Sequence, residues 1–455
     1  MRTASAITAL GRELPKATLA DTLAVIADVA LPTIAKGVIL RRPSTVALAE
    51  RLQLDRRAVR RMQALRDRYG TGPLLLPIPG RLQAIILDPE HVKRVLDESP
   101  EPFAAATVEK RAALSHFEPR GVLISHGPVR TDRRRFNEAV LDADRPVHRL
   151  AERFVQVVDE EMAALLGEAR RAGELTWDDF VAAWLRMVRR VVLGDAARDD
   201  HALTDVLAAL RSDANWAFLM PKRTRLRRHF FERLSRYLAR AEPGSLASIV
   251  AQTPDTPPLD PPQQVPQWLF AFDAGAIATF RALALLASHP EQAALAREEI
   301  ARHADAVRSD FPYLRASVLE SVRLWPTTPM VMRETTRDMA WESGTMPART
   351  SVMIFAPFFH RDDHRLAFAD RFSPDVWLEG EAASDWPLIP FSRGPVVCPG
   401  RNLVLMLASA VLARLVGGHQ PSLRHPPRLA PNHPLPASLN HFKLRFALPD
   451  VPSRS

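Results

Sequence analysis

A single cysteine stands among 455 residues. A lone thiol closes no internal disulfide, which excludes a disulfide-built secreted scaffold and favours a reducing compartment. Lysine is nearly as scarce, occurring at 16, 36, 93, 110, 222 and 443 only, while the 61 basic residues are otherwise Arg. Long apolar runs are missing as well. A membrane-spanning helix needs about 20 predominantly apolar residues, and the most apolar early segment, Thr22 to Leu40, is broken by Asp28, Pro32 and Lys36. The N-terminus lacks a basic start followed by an apolar run and a small-residue cleavage site. These absences predict a cytoplasmic protein with no membrane span and no secretion signal.

What remains is an ordinary globular balance, 47% apolar and 25% charged, long enough to bury a large core. The net charge is +9, yet 52 acidic residues nearly balance the basic ones and the arginines are spread throughout. That distribution reads as a solvated Arg-rich surface, the run Lys222 to Arg228 included, and argues against nucleic-acid binding. A partner with an acidic docking face fits it better.

Up to Arg302 the chain reads mainly as helix, with apolar residues at three- and four-residue spacing over Val46 to Arg68, Val92 to Asp97, Val147 to Ala172 and Asp200 to Arg211. Two strands joined by a Pro-Gly turn are expected over Gly72 to Gly80 and Arg81 to Asp88. Pro254 to Pro266 is the one linker-like segment, because its prolines forbid regular helix. Gln267 to His289 is apolar nearly all round, which places a helix in the middle of a large core. Beyond Arg302 the pattern is mixed: a helix at Tyr313 to Leu324, short strands at Pro329 to Arg333 and Ser351 to Phe355, an irregular stretch to Pro390, and a last helix from Gly400 to Leu415. The predicted fold class is mainly α with a minor β-sheet region, in one domain over residues 1–455.

The segment Phe391-Ser-Arg-Gly394-Pro-Val-Val-Cys398-Pro-Gly400 holds the only Cys. Gly394 and Gly400 allow the backbone to turn tightly around the sulfur. The following helix places its positive N-terminal end near the thiol, and Phe391 is positioned to keep water away. Together they describe a protected thiolate held for a metal. The segment resembles the heme-binding loop of the cytochrome P450 (heme-thiolate monooxygenase) family, Phe-x-x-Gly-x-Arg-x-Cys-x-Gly, in its bacterial soluble form. Phe391, Gly394, Cys398 and Gly400 match, and the resemblance implies that Cys398 ligates the iron of heme b. An axial thiolate donates electron density to iron and favours O–O cleavage.

Further landmarks follow in order along the chain. Glu320-Ser-Val-Arg323 has the family's Glu-x-x-Arg form, with both side chains on one helix face as a structural pair. Glu299 to Arg302 and Glu334 to Arg337 share that spacing, and such pairs elsewhere are ordinarily solvated helix faces. The place of Glu320, directly upstream of Leu324-Trp-Pro326, selects it. The resemblance implies that Arg333 reaches a heme propionate, as charge-assisted Arg–carboxylate bonding would explain. Gly127-Pro-Val-Arg130-Thr-Asp-Arg-Arg134-Arg135 is similar to the family's propionate-side helix. Arg130 and Arg134 are its propionate candidates, and Arg133 and Arg135 a candidate basic patch for an acidic electron donor. His360 and His364, four residues apart, have helical metal-ligand spacing, but their segment resembles a structural stretch of the same family.

The apolar helix departs from the pattern. In Ala274-Gly275-Ala276-Ile277-Ala278-Thr279 the expected acid is Ile277 and the expected alcohol Ala278. Gly275 matches the family's glycine beside the oxygen site. Proton delivery then falls to ordered water, a substrate group, Thr279 if the helix bulges, or Asp273, one turn back. Val396 replaces a propionate-binding Arg, and Val376 replaces the Arg that serves as third partner of Glu320 and Arg323, a place Arg371 is near enough to take. The last helix also lacks its usual acid.

The resemblance implies an oxidoreductase that inserts one atom of O2 into an apolar small molecule. With no flavin or nicotinamide fingerprint in the chain, its electrons come from a separate acidic ferredoxin- or flavodoxin-type donor. The missing acid–alcohol pair leaves two alternatives open, a peroxide-using peroxygenase or isomerase and a non-catalytic heme-binding sensor. Phe270, Ala274, Ala278 and the turn from Thr327 to Met330 are the expected substrate-facing residues.

Overall fold

The computed structural model describes residues 13–253, 259–303, 310–378, 386–424 and 429–449. They group into two compact units built from interleaved segments of the chain, the first around 13–111, 323–370 and 386–398, the second around 112–322, 371–378 and 399–449.

A five-stranded sheet organises the first unit. Its strands are β1 (Leu74–Ile78), β2 (Arg81–Ile85), β3 (Phe103–Ala104), β4 (Met330–Thr335) and β5 (Ser351–Phe355), in the spatial order β1-β2-β5-β4-β3. β1 and β2 form the expected antiparallel hairpin, Leu74 opposite Ile85 and Ile78 opposite Arg81, around Pro79-Gly80. β2 runs parallel to β5, and β5 pairs antiparallel with β4, Arg333 opposite Val352. β5 is buried along its whole length, as its uninterrupted Ser-Val-Met-Ile-Phe run requires. The expected helix from Val46 to Arg68 is two helices, Pro43–Arg51 and α1 (Leu54–Tyr69), because Gln53 takes a left-handed conformation at φ 53°. α2 (Pro89–Asp97) is capped by Asp88, whose carboxylate accepts the Glu90 amide at 2.8 Å.

The second unit is helical. Its frame is α3 (Gly127–Val140), α4 (Ala151–Ala172), α5 (Trp177–Leu193), α6 (His201–Ala214), α7 (Val265–Ser288), α8 (Pro312–Leu324, which ends in the first unit) and α9 (Arg401–Gly417). A capping box starts α5, Thr176 and Asp179 exchanging side-chain and backbone bonds. α7 packs against α5 and α9, and α4 against both of those helices. It is the one helix among the described residues long and apolar enough to cross a membrane, and its most apolar window is 72% buried, the profile of a core helix. Of the expected linker, 254–258 lie outside the described residues, while Pro266 falls in the first turn of α7, where its missing N–H costs nothing.

Candidate functional site

In the first unit the Cys398 loop is closed by its own backbone. The Cys398 amide donates to the Phe391 carbonyl at 3.0 Å, and the Val397 amide to the Gly394 carbonyl at 2.9 Å. Phe391 thus joins its backbone to the cysteine it was expected to shield, its side chain half-buried. Ser392 and Gly394 both take left-handed conformations, φ 63° and 68°. At Gly394 that conformation coincides with a close approach: a Cβ there would lie 2.4 Å from the Leu96 carbonyl oxygen at the end of α2. Gly394 is the point where the loop meets a helix, and any side chain would push it away. Cys398 itself is half-buried.

Arg333 on β4 is the charged neighbour of this loop. It is 2% exposed, and donates from Nε to Ser99 Oγ at 2.9 Å, from Nη1 to the Met332 carbonyl at 3.0 Å and from Nη2 to Ser392 Oγ at 3.2 Å. The contact with Ser392 ties a buried cation to the cysteine loop six residues before the sulfur.

Arg323 also lies in this unit and is fully buried. Its Nη1 donates to the carbonyls of His360 at 2.8 Å and Ala369 at 3.0 Å, with its guanidinium 5.1 Å from the centre of the Phe368 ring. His360 accepts the Ile389 amide on Nε2 at 2.9 Å, and burial first, then the Arg323 charge, press its imidazole down to about 3. It is a neutral structural acceptor, and no cluster of three His, Cys, Asp or Glu able to hold a metal ion occurs among the described residues.

In the second unit Glu320 accepts the Ser373 amide at 2.8 Å and the Trp377 indole N–H at 3.1 Å. Trp377 sits next to Val376, so it supplies a donor where the family's arginine is absent. No motif signals this partner, because an indole N–H is not interchangeable with a guanidinium in a sequence pattern. Glu299, expected on a solvated face, is 4% exposed and accepts the Tyr313 and Leu314 amides, capping α8. Burial raises its carboxyl above the usual range, against those two bonds.

On α3, Arg130 is half-buried and its guanidinium is held below its ordinary pKa, by burial first and then by the Arg134 charge. Arg134 donates to Glu138 at 2.6 Å. Two like charges on one half-buried helix face suit an anionic group. Arg133 overturns its expectation: it is 7% exposed and donates to Ser125 Oγ at 2.7 Å, so only Arg135 of the two is available to a docking partner.

α7 carries the remaining candidates. Asp273 is bound by Arg211 of α6, whose guanidinium lies 4.6 Å from the centre of the Phe270 ring. A Cβ on Gly275 would stand 3.1 Å from both Trp184 and Val404, so its smallness lets α7 approach α5 and α9. Thr279 is fully buried and its hydroxyl donates to the Gly275 carbonyl at 2.7 Å. α7 is unbroken there, so the bulge on which a proton-delivery role for Thr279 depended does not exist.

The donor set fits heme. In the first unit it offers one half-buried thiol in a backbone-closed loop and a buried guanidinium fixed to that loop.

The comparisons agree. A family model for cytochrome P450 matches residues 267–428, from the first turn of α7 through the cysteine loop. Flavonoid-6-hydroxylase of Mentha piperita is 31% identical over 157 residues, 32% of this chain and 30% of that protein. Probable cytochrome P450 4s3 of Drosophila melanogaster is 28% identical over 150 residues, 32% of this chain and again 30% of that protein. The chain thus matches less than a third of the length of these curated relatives. The structural likeness is wider: a crystal structure of the cytochrome P450 CYP102L1 superposes with a TM-score of 0.72 at 16% identity, over 97% of this chain and 100% of that one. Retinoic acid bound cyanobacterial CYP120A1 gives 0.69 at 17% identity, over 86% and 94%. The chain thus shares the fold of these solved structures end to end, and its residues 267–428, the cysteine loop among them, match the cytochrome P450 family model.

Proposed function

We propose that the protein is a heme-thiolate monooxygenase, a single catalytic domain acting in the cytoplasm on an apolar small molecule, with O2 as co-substrate. The observation that carries this reading is the backbone-closed Cys398 loop joined through Ser392 to a buried Arg333. Cys398 would ligate the iron of heme b, and Arg333, Arg130 and Arg134 would take its propionates. Heme bound by a thiolate supplies the activation of O2 and the transfer of one oxygen atom. The chain's own residues hold that site in place. Cys398 is fixed because its amide is already committed to Phe391, and Gly394 sets the depth of the loop against α2. Electrons would come from an acidic ferredoxin- or flavodoxin-type donor, for which Arg135 is one exposed contact.

The proton route is where this chain differs. Ile277 and Ala278 carry no proton, Thr279 points its hydroxyl at its own helix, and Asp273 is paired with Arg211. Water, substrate or Asp273 Oδ1 remain as carriers. That arrangement favours a second reading in which peroxide, arriving with its protons, is the oxidant.

A reduced carbon monoxide difference spectrum tests the thiolate. The wild type is expected to show a red-shifted Soret band that Cys398→Ser abolishes, and a band that survives the substitution overturns the assignment. Turnover that requires a reductase supports the first reading, and turnover on added peroxide alone the second.

A further inference from the structure

Gln264 stands at the N-cap of α7, the position from which a side chain ordinarily bonds the free amides of its own helix, yet it makes no such bond. It is fully buried and spends its amide on other parts of the second unit. Its Nε2 donates to the carbonyls of Arg120 at 3.0 Å and Leu259 at 3.3 Å, and its Oε1 accepts the Val122 amide at 3.0 Å. The same oxygen accepts Asn137 Nδ2 of α3 at 3.4 Å.

Asn137, 1% exposed, closes a circuit. Its Nδ2 also donates to the Arg133 carbonyl at 2.7 Å, and its Oδ1 accepts the Trp268 indole N–H at 2.6 Å. Trp268 lies one turn beyond Gln264 on α7, and Phe136 of α3 stacks on its ring with the two planes 20° apart. Arg133 carries the circuit back to the loop, donating to Ser125 Oγ, which in turn donates to the Gly121 carbonyl at 2.7 Å. Four buried side chains, those of Gln264, Asn137, Trp268 and Arg133, thus bolt α3 and the 120–125 loop to the first turns of α7. Apolar contact alone would hold two helices together and tolerate several rotations; what the hydrogen bonds add is direction, so that one rotation of α3 is selected.

That rotation matters because of what shares the helix. Arg130, Arg134 and Asn137 follow one another at four- and three-residue spacing and so lie along one side of α3. Fixing Asn137 therefore fixes the angle at which both cations leave the helix. We infer that Gln264 is a positioning residue: acting through Asn137, together with Trp268, it sets the rotation of α3 that presents Arg130 and Arg134 to the heme propionates. This rests on the role proposed above for those two arginines.

The test is the rate at which the loaded protein gives up heme to an excess of apomyoglobin, followed by absorbance with heme b and with its dimethyl ester, whose propionates carry no charge. The wild type is expected to retain heme b longer than the ester. Gln264→Leu removes the whole amide, whereas Trp268→Phe removes only the indole N–H and keeps a ring against Phe136, so it serves where the first variant does not fold. Each should release heme b about threefold to tenfold faster and the ester at the wild-type rate. In an Arg130→Gln/Arg134→Gln background Gln264→Leu should accelerate the release of heme b no further, since nothing is left to position. Equal acceleration of both hemes means that the network only supports the fold, and it overturns the inference while leaving the arginines in their role. So does an unchanged release of heme b, or acceleration that persists in the double-Gln background. A wild type that takes up no heme, or releases both hemes at one rate, overturns the propionate assignment itself and this inference with it.

Discussion

Replacing Gly394 by Ala adds one methyl group to the cysteine loop, and the structure states what it meets. At φ 68° the residue is left-handed, a conformation that costs a Cβ-bearing residue about 1–2 kcal/mol. The new Cβ would stand 2.4 Å from the Leu96 carbonyl oxygen, 2.9 Å from its carbon and 3.0 Å from the Asp97 Cα. These are backbone atoms of α2, which cannot rotate aside as a side chain would, so the loop must retreat by about an ångström to restore contact distance. Overpacking of that kind costs about 1–3 kcal/mol, which brings the total to about 2–5 kcal/mol. Gly80 is the control: it has φ 71° in the hairpin turn but nothing within 4 Å of its Cβ position, so Gly80→Ala should lose only the conformational term, about 1–2 kcal/mol. Denaturant unfolding followed by tryptophan fluorescence compares the two without relying on any bound group. Equal losses would show that the contact with α2 contributes nothing, and the account of Gly394 would fail.

Two further outcomes follow from groups that the proposed oxygen chemistry does not use. Thr279→Val removes a hydroxyl whose bond is to its own helix, so it should cost about 1 kcal/mol of stability and leave product formed per electron consumed unchanged; a severalfold loss of product per electron would restore a proton role to Thr279. Glu118 is fully buried, with the Gln267 amide turned to donate to it at 2.7 Å, and burial holds its carboxyl well above the usual glutamate range. Between that range and its raised value the native state keeps a proton that the unfolded chain has lost, so stability is full at lower pH and declines as pH rises across the window. Glu118→Gln should flatten that decline, and an unchanged pH slope in denaturant midpoints would contradict it.

Much of this was legible from residue order, for identifiable reasons. α7 could be read because a helix apolar on all sides has only one stable location, and its observed span, Val265–Ser288, lies within two residues of expectation at each end. β5 was legible because an uninterrupted run of five residues bounded by turns suits a buried strand, and Ser351–Phe355 matches residue for residue. Arg133 shows the limit. In the sequence it is one of three consecutive arginines, and only the packing of α3 decides that it points at Ser125 while Arg135 meets solvent. Trp377 shows another, since its indole serves Glu320 only because the turn at Ser373 brings both donors to one carboxylate.

α7 holds the most instructive case, because one glycine supports two readings that the sequence alone cannot separate. As a motif position, Gly275 suggests room beside a reacting oxygen; as a Cα in space, it faces Trp184 and Val404 at a distance that admits no side chain. The second reading explains why the glycine is present even though its neighbours Ile277 and Ala278 have lost the acid and the alcohol that accompany it in the motif. Trp184 adds a reason of its own: its indole N–H donates to the Phe272 carbonyl at 2.9 Å, which holds the bulky ring against the turn where Gly275 lies. If packing is what requires the glycine, Gly275→Ala should be rescued in part by Val404→Ala, which opens space on one side of the new methyl group. The double variant should then be more stable than the sum of the two single losses. Strict additivity would mean that the methyl group never presses on Val404, and Gly275 would return to the oxygen site as its explanation.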